Sequence, residues 1–227
     1  MYYLLENAIS RKQVGTQFQT RIGDDYDVEG PNSRIHLKYD EFPDFIPDLR
    51  FELEDAAKLT DVVRQDNISA KGFLINEKVK KIFDQCRLPE HRYYEASLLD
   101  HDGNVLPYYW LHLISNDYQM VDFQQSLFRK SNSPLKTSST KNAPIYPIKD
   151  FDDYQKKSNL LIGNSGEFIV LDHLKIDNSQ GFDMLHFSQL SVVYVFISEK
   201  MAGLLKKAKV SGIDITEAPD VEDLVFR

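Results

Sequence analysis

Cysteine is nearly missing from this chain. Cys86 is the one thiol among 227 residues, which excludes an internal disulfide framework and suits a reducing compartment. Long apolar runs are missing too: no window approaches 18 consecutive apolar residues, so no helical membrane span is expected. The opening Met1-Tyr2-Tyr3-Leu4-Leu5-Glu6 has no basic start, and its apolar run is too short for a secretion signal. Together these absences lead to the expectation of a cytoplasmic protein.

The short patterns that carry chemistry are absent as well. No GxGxxG occurs, and Gly163-Asn164-Ser165-Gly166 lacks the following Lys-Ser/Thr that would meet phosphates. It is also one residue short of the Gly-x-Ser-x-Gly elbow that exposes a nucleophilic serine. Asp100-His101-Asp102-Gly103-Asn104 begins like a calcium loop. It then places Val105 where a glycine must bend the chain, and Leu111 where a bidentate glutamate belongs. The six histidines form no HxxxH or HExxH pair, so no single helix face offers two imidazoles to a metal. Asp172-His173 or Asp183 with His186 could serve Ser165 or Ser188 in a small hydrolase, which stays open as an alternative. The expectation is no enzyme, no catalytic residue, no cofactor and no metal.

What is present is the composition of a globular chain: 42% apolar, 12% aromatic and a net charge of −8. The acid is concentrated early. Residues 1–70 carry 8 Lys+Arg against 14 Asp+Glu, and residues 71–227 carry 19 against 21. An acidic surface repels phosphate backbones, which makes nucleic acid a poor partner, and it steers basic proteins inward.

The chain reads as one globular α+β unit over 1–227, with an acidic N-terminal segment over residues 1–70 and a long polar loop 129–144. Pro43 and Pro47 mark an irregular segment. A strand is expected at Phe51–Leu53, then a short turn or helix through Ala57 and Val62. Asp102-Gly103 reads as a hairpin turn, Tyr108 to Ile114 as a buried strand, and Phe168–Leu171 and Val192–Ile197 as core strands.

One pattern occurs twice. Val79, Ile82, Phe83 and Cys86 follow i, i+3, i+4, i+7 after Asn76-Glu77-Lys78, and Met201, Leu204, Leu205 and Ala208 do so after Ser198-Glu199-Lys200. Each series is the stripe of an amphipathic helix. Asn76 and Ser198 suit the capping position, and the glutamates suit the positive end of the helix dipole. The copies align without gaps at an offset of 122 residues: Ile75 with Ile197, Leu88 with Val210, Glu95 with Glu217, Ala96 with Ala218. Two strand–helix–strand units, around 73–96 and 195–218, are therefore expected to share one strand-rich core. Cys86, on the stripe, reads as a buried small residue.

Three acidic runs are interleaved with aromatics: Asp24, Asp25, Tyr26 and Asp27; Asp40, Glu41, Phe42 and Asp44; and Asp152, Asp153 and Tyr154. Aromatic anchors ringed by charge suit a protein interface, so these are the candidate partner-binding residues.

Several stretches in order carry a resemblance. They are Pro47-Asp48-Leu49-Arg50-Phe51-Glu52-Leu53-Glu54 with Ala57 to Val62; Leu74-Ile75-Asn76-Glu77-Lys78; Tyr109-Trp110-Leu111-His112-Leu113 with Val121-Asp122 and Ser126; and Val195-Phe196-Ile197-Ser198-Glu199-Lys200 with Ser211-Gly212-Ile213. Over about residues 45–220 the sequence resembles the bacterial immunity protein family 11, from polymorphic toxin systems. Asn76 stands where a serine would be expected. The resemblance implies a protein that binds and neutralises a cognate toxin domain in the cytosol. It implies no catalytic residue and does not say which toxin. A peptide- or ligand-binding module is the remaining alternative, and a homodimer is left open.

Overall fold

The computed structural model describes residues 1–23, 25–65, 68, 70–114, 117–133, 143–187, 190, 195–218 and 220–223. Along them run β1 (Tyr2–Asn7), α1 (Arg11–Val14), β2 (Thr20–Arg21), β3 (Arg50–Leu53), β4 (Val62–Val63), β5 (Gly72–Ile75), α2 (Glu77–Phe83), β6 (His91–Leu99) and β7 (Val105–Leu113). Then come β8 (Leu127–Ser131), α3 (Phe151–Ser165), β9 (Phe168–Ile176), β10 (Met184–His186), β11 (Val195–Ser198), α4 (Glu199–Lys207), β12 (Ile213–Glu217) and β13 (Val221–Asp223). The fold is α+β with a strand-rich core.

The strands form a six-stranded sheet in the order β2-β3-β6-β7-β5-β4, a four-stranded sheet β10-β11-β1-β12, and a three-stranded sheet β13-β9-β8. Pairs are antiparallel except β3 with β6 and β13 with β9. Side chains alternate across each strand, and that alternation sorts the apolar residues into three layers. Phe73, Ile75, Leu111 and Leu113 of the six-stranded sheet face Leu5, Val195 and Ile197 of the four-stranded one. Val79, Ile82 and Phe83 of α2 and Met201, Ala202 and Leu205 of α4 fill the space between. The alternate residues Leu74, Leu98 and Trp110 point the other way, into a layer with Leu37, Leu49, Phe51 and Leu53. Tyr2, Leu185 and Phe196 likewise face out of the four-stranded sheet, onto Phe128, Ile169, Leu174 and Tyr154. Each fully buried large side chain contributes about 1.5–3 kcal/mol of transfer free energy.

Both expected helices form, and both are capped as their sequences suggest. Asn76 Oδ1 accepts from Val79 N and Ser198 Oγ from Met201 N, each at 3.2 Å. The two strand–helix–strand units meet in the central layer, where α2 packs on α4. The duplication runs further than the helices. β4 pairs with β5 as Val62–Ile75 and Val63–Leu74, and β10 pairs with β11 as Met184–Ile197 and Leu185–Phe196. All four pairs map onto one another at the same 122-residue offset.

An aspartate precedes each of these edge strands, again 122 residues apart. Asp61 accepts from Asn76 Nδ2 at 2.9 Å and Lys78 Nζ at 2.9 Å, and from Ser211 N at 2.9 Å and Ser211 Oγ at 3.0 Å. Asp183 accepts from Ser198 Oγ at 2.6 Å, Lys200 Nζ at 3.0 Å and Arg87 N at 2.9 Å. Each carboxylate thus ties the start of its own helix to the loop after the other helix. Burial alone would raise both pKa values. The donors outweigh it, foremost Ser211 for Asp61 and Ser198 for Asp183, and hold both below the usual carboxylate range.

Several expectations need correction. Val62 lies in a strand, not a turn or helix, because it pairs with Ile75 in the sheet. Residues 129–131 of the expected polar loop belong to β8, where Arg129 meets Asp172 at 2.7 Å; 134–142 lie outside the described residues. The strand expected from Val192 is described from Val195, and 192–194 lie outside. Cys86 is half-buried, and burial pushes its thiol up to about 11, the opposite of an activated nucleophile. Asp102-Gly103 does turn the β6–β7 hairpin, with Asp100 Oδ1 accepting from the amides of Asp102 and Asn104.

Candidate functional site

Among the described residues no three His, Cys, Asp or Glu side chains gather as metal ligands. The group that most resembles a catalytic set is Ser198, Asp183 and Lys200, at a cavity of about 490 Å³ also lined by Met1, Tyr2 and Phe182. Its geometry is that of a helix cap. The Ser198 hydroxyl donates to Asp183 and accepts from Met201 N, so both roles are taken. The same arrangement recurs as Asn76, Asp61 and Lys78, where the capping group is an amide that cannot attack a carbonyl. No histidine is among the residues lining the cavity. Ser188, a candidate for the hydrolase alternative, lies outside the described residues. His186 is buried, and burial, with the Lys71 charge beside it, lowers its pKa to about 3.

The three acidic runs do not share one surface. The third is the start of α3, a 15-residue helix that has no clear apolar stripe, with only Tyr154 fully buried. Asp150 caps it by accepting from Asp153 N at 2.8 Å. Asp153 accepts from Lys149 N at 2.9 Å and pairs with Lys157 at 2.8 Å. Negative side chains in a first turn favour the helix dipole. Asp152 is exposed, but Tyr154 is buried beside Phe128, over the four-stranded sheet, and offers no ring to a partner. This run is explained by helix formation.

The first two runs both lie in the segment joining β2 to β3, each held against the six-stranded sheet, the first at Arg50 and the second at His112 and Arg92. Asp24 lies outside the described residues. Asp25 and Asp27 are exposed, and Asp25 reaches Arg50 at 3.0 Å. Tyr26 is not an exposed anchor, because its hydroxyl donates to Asp48 O at 3.0 Å and accepts from Arg34 N at 2.8 Å. Its ring covers the Arg34 guanidinium at 4.1 Å, and Phe51 covers it at 4.6 Å. Arg34 is wholly buried there and also donates to Arg50 O. This clamp holds the segment from inside. His36 lies 3.2 Å from Gly30 O, and Asp48 N donates to Asn32 O at 2.7 Å, which fixes the stretch between the runs to itself and to the start of β3.

In the second run Asp40, Glu41 and Asp44 are exposed. Phe42 is half-buried, set edge-on to the His112 ring at 5.3 Å and beneath Arg92 at 4.3 Å. His112 is buried with Nε2 2.7 Å from Lys38 O, and burial lowers its pKa, so it holds this loop to the sheet as a neutral ring. A shallow cavity of about 440 Å³ opens among His36, Lys38, Glu41, Phe42, Asp44 and Phe45. Four large apolar residues are exposed on the same segment: Ile22, Ile35, Tyr39 and Ile46, the last 85% exposed.

The duplication offers an internal comparison. Features that the fold requires occur in both halves: the capped helix, the carboxylate before the edge strand, the lysine beside it. The segment covering the four-stranded sheet shows its one acidic run used up in starting α3. The carboxylates Asp25, Asp27, Glu29, Asp40, Glu41 and Asp44 have no structural task that accounts for all of them, whereas exposed apolar residues occur on both segments: Ile35, Tyr39 and Ile46 on this one, and Ile145, Leu160 and Ile162 on the other. Compared with protein-family models and with curated proteins, the sequence matches neither.

Proposed function

We propose that this protein is a non-catalytic inhibitor, an immunity protein that binds a cognate bacterial toxin domain in the cytosol and blocks it by covering its working surface. The observation that carries the reading is the group of exposed carboxylates over the six-stranded sheet, Asp25, Asp27, Asp40, Glu41 and Asp44, set beside exposed Tyr39 and Ile46 and not all explained by folding. The ordered motifs from Pro47 to Ile213 that resemble immunity family 11 point the same way.

Exposed carboxylates on a segment clamped by Arg34 would speed encounter with a basic partner. Ile46, Tyr39 and Ile35 would supply the apolar contact that fixes the complex once it forms. Because the segment is anchored at Tyr26, His112 and Asp48, little ordering entropy would be lost on binding. Coexpression with the product of the neighbouring toxin gene tests the reading. A one-to-one complex and restored growth are expected; persistent toxicity with no detectable complex would remove it.

A further inference from the structure

The first strand of the chain is in the wrong half. β1 lies between β11 and β12, with Leu5 opposite Val195 and Ile215 and Tyr3 opposite Ile197 and Glu217. β7 lies between β5 and β6, with Leu111 opposite Phe73 and Tyr93 and Tyr109 opposite Ile75 and Glu95. Each partner of β7 sits 122 residues before the matching partner of β1, so the two strands occupy equivalent places. The bond that closes each pairing repeats too: Ala8 N donates to Gly212 O at 3.0 Å, and Ile114 N donates to Glu90 O at 3.2 Å.

The outer strands follow the same plan. β3 runs parallel to the end of β6, with β2 antiparallel outside it. β9 runs parallel to β13, with β8 antiparallel outside it. The order of elements in β1–β6 is therefore repeated in β7–β13, and the first strand of each half completes the sheet of the other.

We infer that the chain is a tethered pair of half-length protomers that have exchanged their first strands. The surface between residues 1–100 and 105–227 is then an obligate protein–protein interface, and the turn Asp100–Asn104 is dispensable for holding it. Neither half closes its sheet alone. Without β7, β5 and β6 share no neighbour; without β1, neither do β11 and β12. Both carboxylate ties cross this interface, as does the packing of α2 on α4. Interfaces of this interleaved kind resemble a domain core and persist without a covalent link.

The test cuts the whole folded chain. A protease site is inserted between the exposed Asp102 and Gly103, Cys86→Ala removes the native thiol, and Glu6→Cys with Asp214→Cys places a thiol pair across β1–β12, where these residues are opposite. Cross-strand Cα separations of about 4.5–5.5 Å are within disulfide reach. After cleavage the fragments are expected to co-elute at the mass of the uncut chain, even diluted to about 1 µM. Oxidation should then join the two fragments into one band on a denaturing, non-reducing gel. Folded fragments that separate, or an oxidised sample that stays as two bands, would overturn the inference. If the cysteine pair prevents folding, the cut chain without it decides by co-elution alone.

Discussion

Replacing Asp61 by alanine leaves Ser211 N, Ser211 Oγ and Asn76 Nδ2 without their acceptor and removes the Lys78 ion pair. The Asp61 side chain is 16% exposed, so water replaces those bonds only partly. Hydrogen bonds to a charged, mostly buried acceptor contribute about 1.5–3 kcal/mol, less where solvent reaches them. The Lys78 pair, with the lysine 43% exposed, adds no more than about 0.5 kcal/mol. A loss of about 2–3 kcal/mol follows for D61A, and a similar loss for D183A, whose side chain is 10% exposed. With a urea m-value of about 2–3 kcal/mol per M, each variant should unfold at a midpoint lowered by about 1 M. D61N keeps one neutral acceptor and should lose roughly half as much. Both carboxyls have lowered pKa values in the folded chain, so their contribution is complete above the unfolded value of about 3.9 and is lost as pH falls below it. The wild-type midpoint should therefore drop faster than that of the D61A/D183A chain on acidification from about pH 5 to pH 3. Single alanine variants with midpoints within about 0.2 M of wild type would refute the claim that these carboxylates hold the halves together.

Reversing the acidic face, with D25K/D27K or D40K/E41K/D44K, should leave the unfolding midpoint nearly unchanged and slow association with a basic toxin by about tenfold or more at low salt; D152K, on the other flank, should not, and stopped-flow rates across a salt series separate the two. Ile46→Asp, at a side chain that contacts little of its own protein, should shift stability by less than about 0.5 kcal/mol while weakening the complex measurably by calorimetry. Phe83→Ala opens the central layer and should cost about 3–5 kcal/mol in urea unfolding. His186 stays neutral in the folded chain down to about pH 3, whereas the unfolded chain takes up that proton near pH 6.5. Stability should thus fall as pH drops below about 6.5, and His186→Gln should flatten the dependence between pH 6.5 and 4.

The capped helices were legible because cap, dipole and stripe agreed at Asn76–Cys86 and Ser198–Ala208, and both capping bonds are present. The Asp–Gly hairpin was legible for the same reason. α3 was not, since its turns carry Leu160 and Ile162 outward and bury only Tyr154 fully, leaving no periodic face to read. Asp61 and Asp183 stood at the 122-residue offset all along. A lone aspartate reads as surface until a partner 150 residues away, such as Ser211, is known. The pairing of β1 with β11 and β12 is non-local, and no local pattern encodes it. Tyr26 misled because an aromatic among acids suits an outward anchor and an inward ring equally well; the buried Arg34 beneath it decided the matter.

That buried guanidinium separates the loop above it into an inner and an outer layer that answer to different constraints. Tyr26, Phe51 and Arg34 fix where the backbone goes from within, while Asp25, Asp27, Asp40 and Asp44 are attached only at the outside. Outward residues can be exchanged one after another, signs included, and the loop keeps its path. The charge pattern of the outer layer is therefore separable from the shape that carries it.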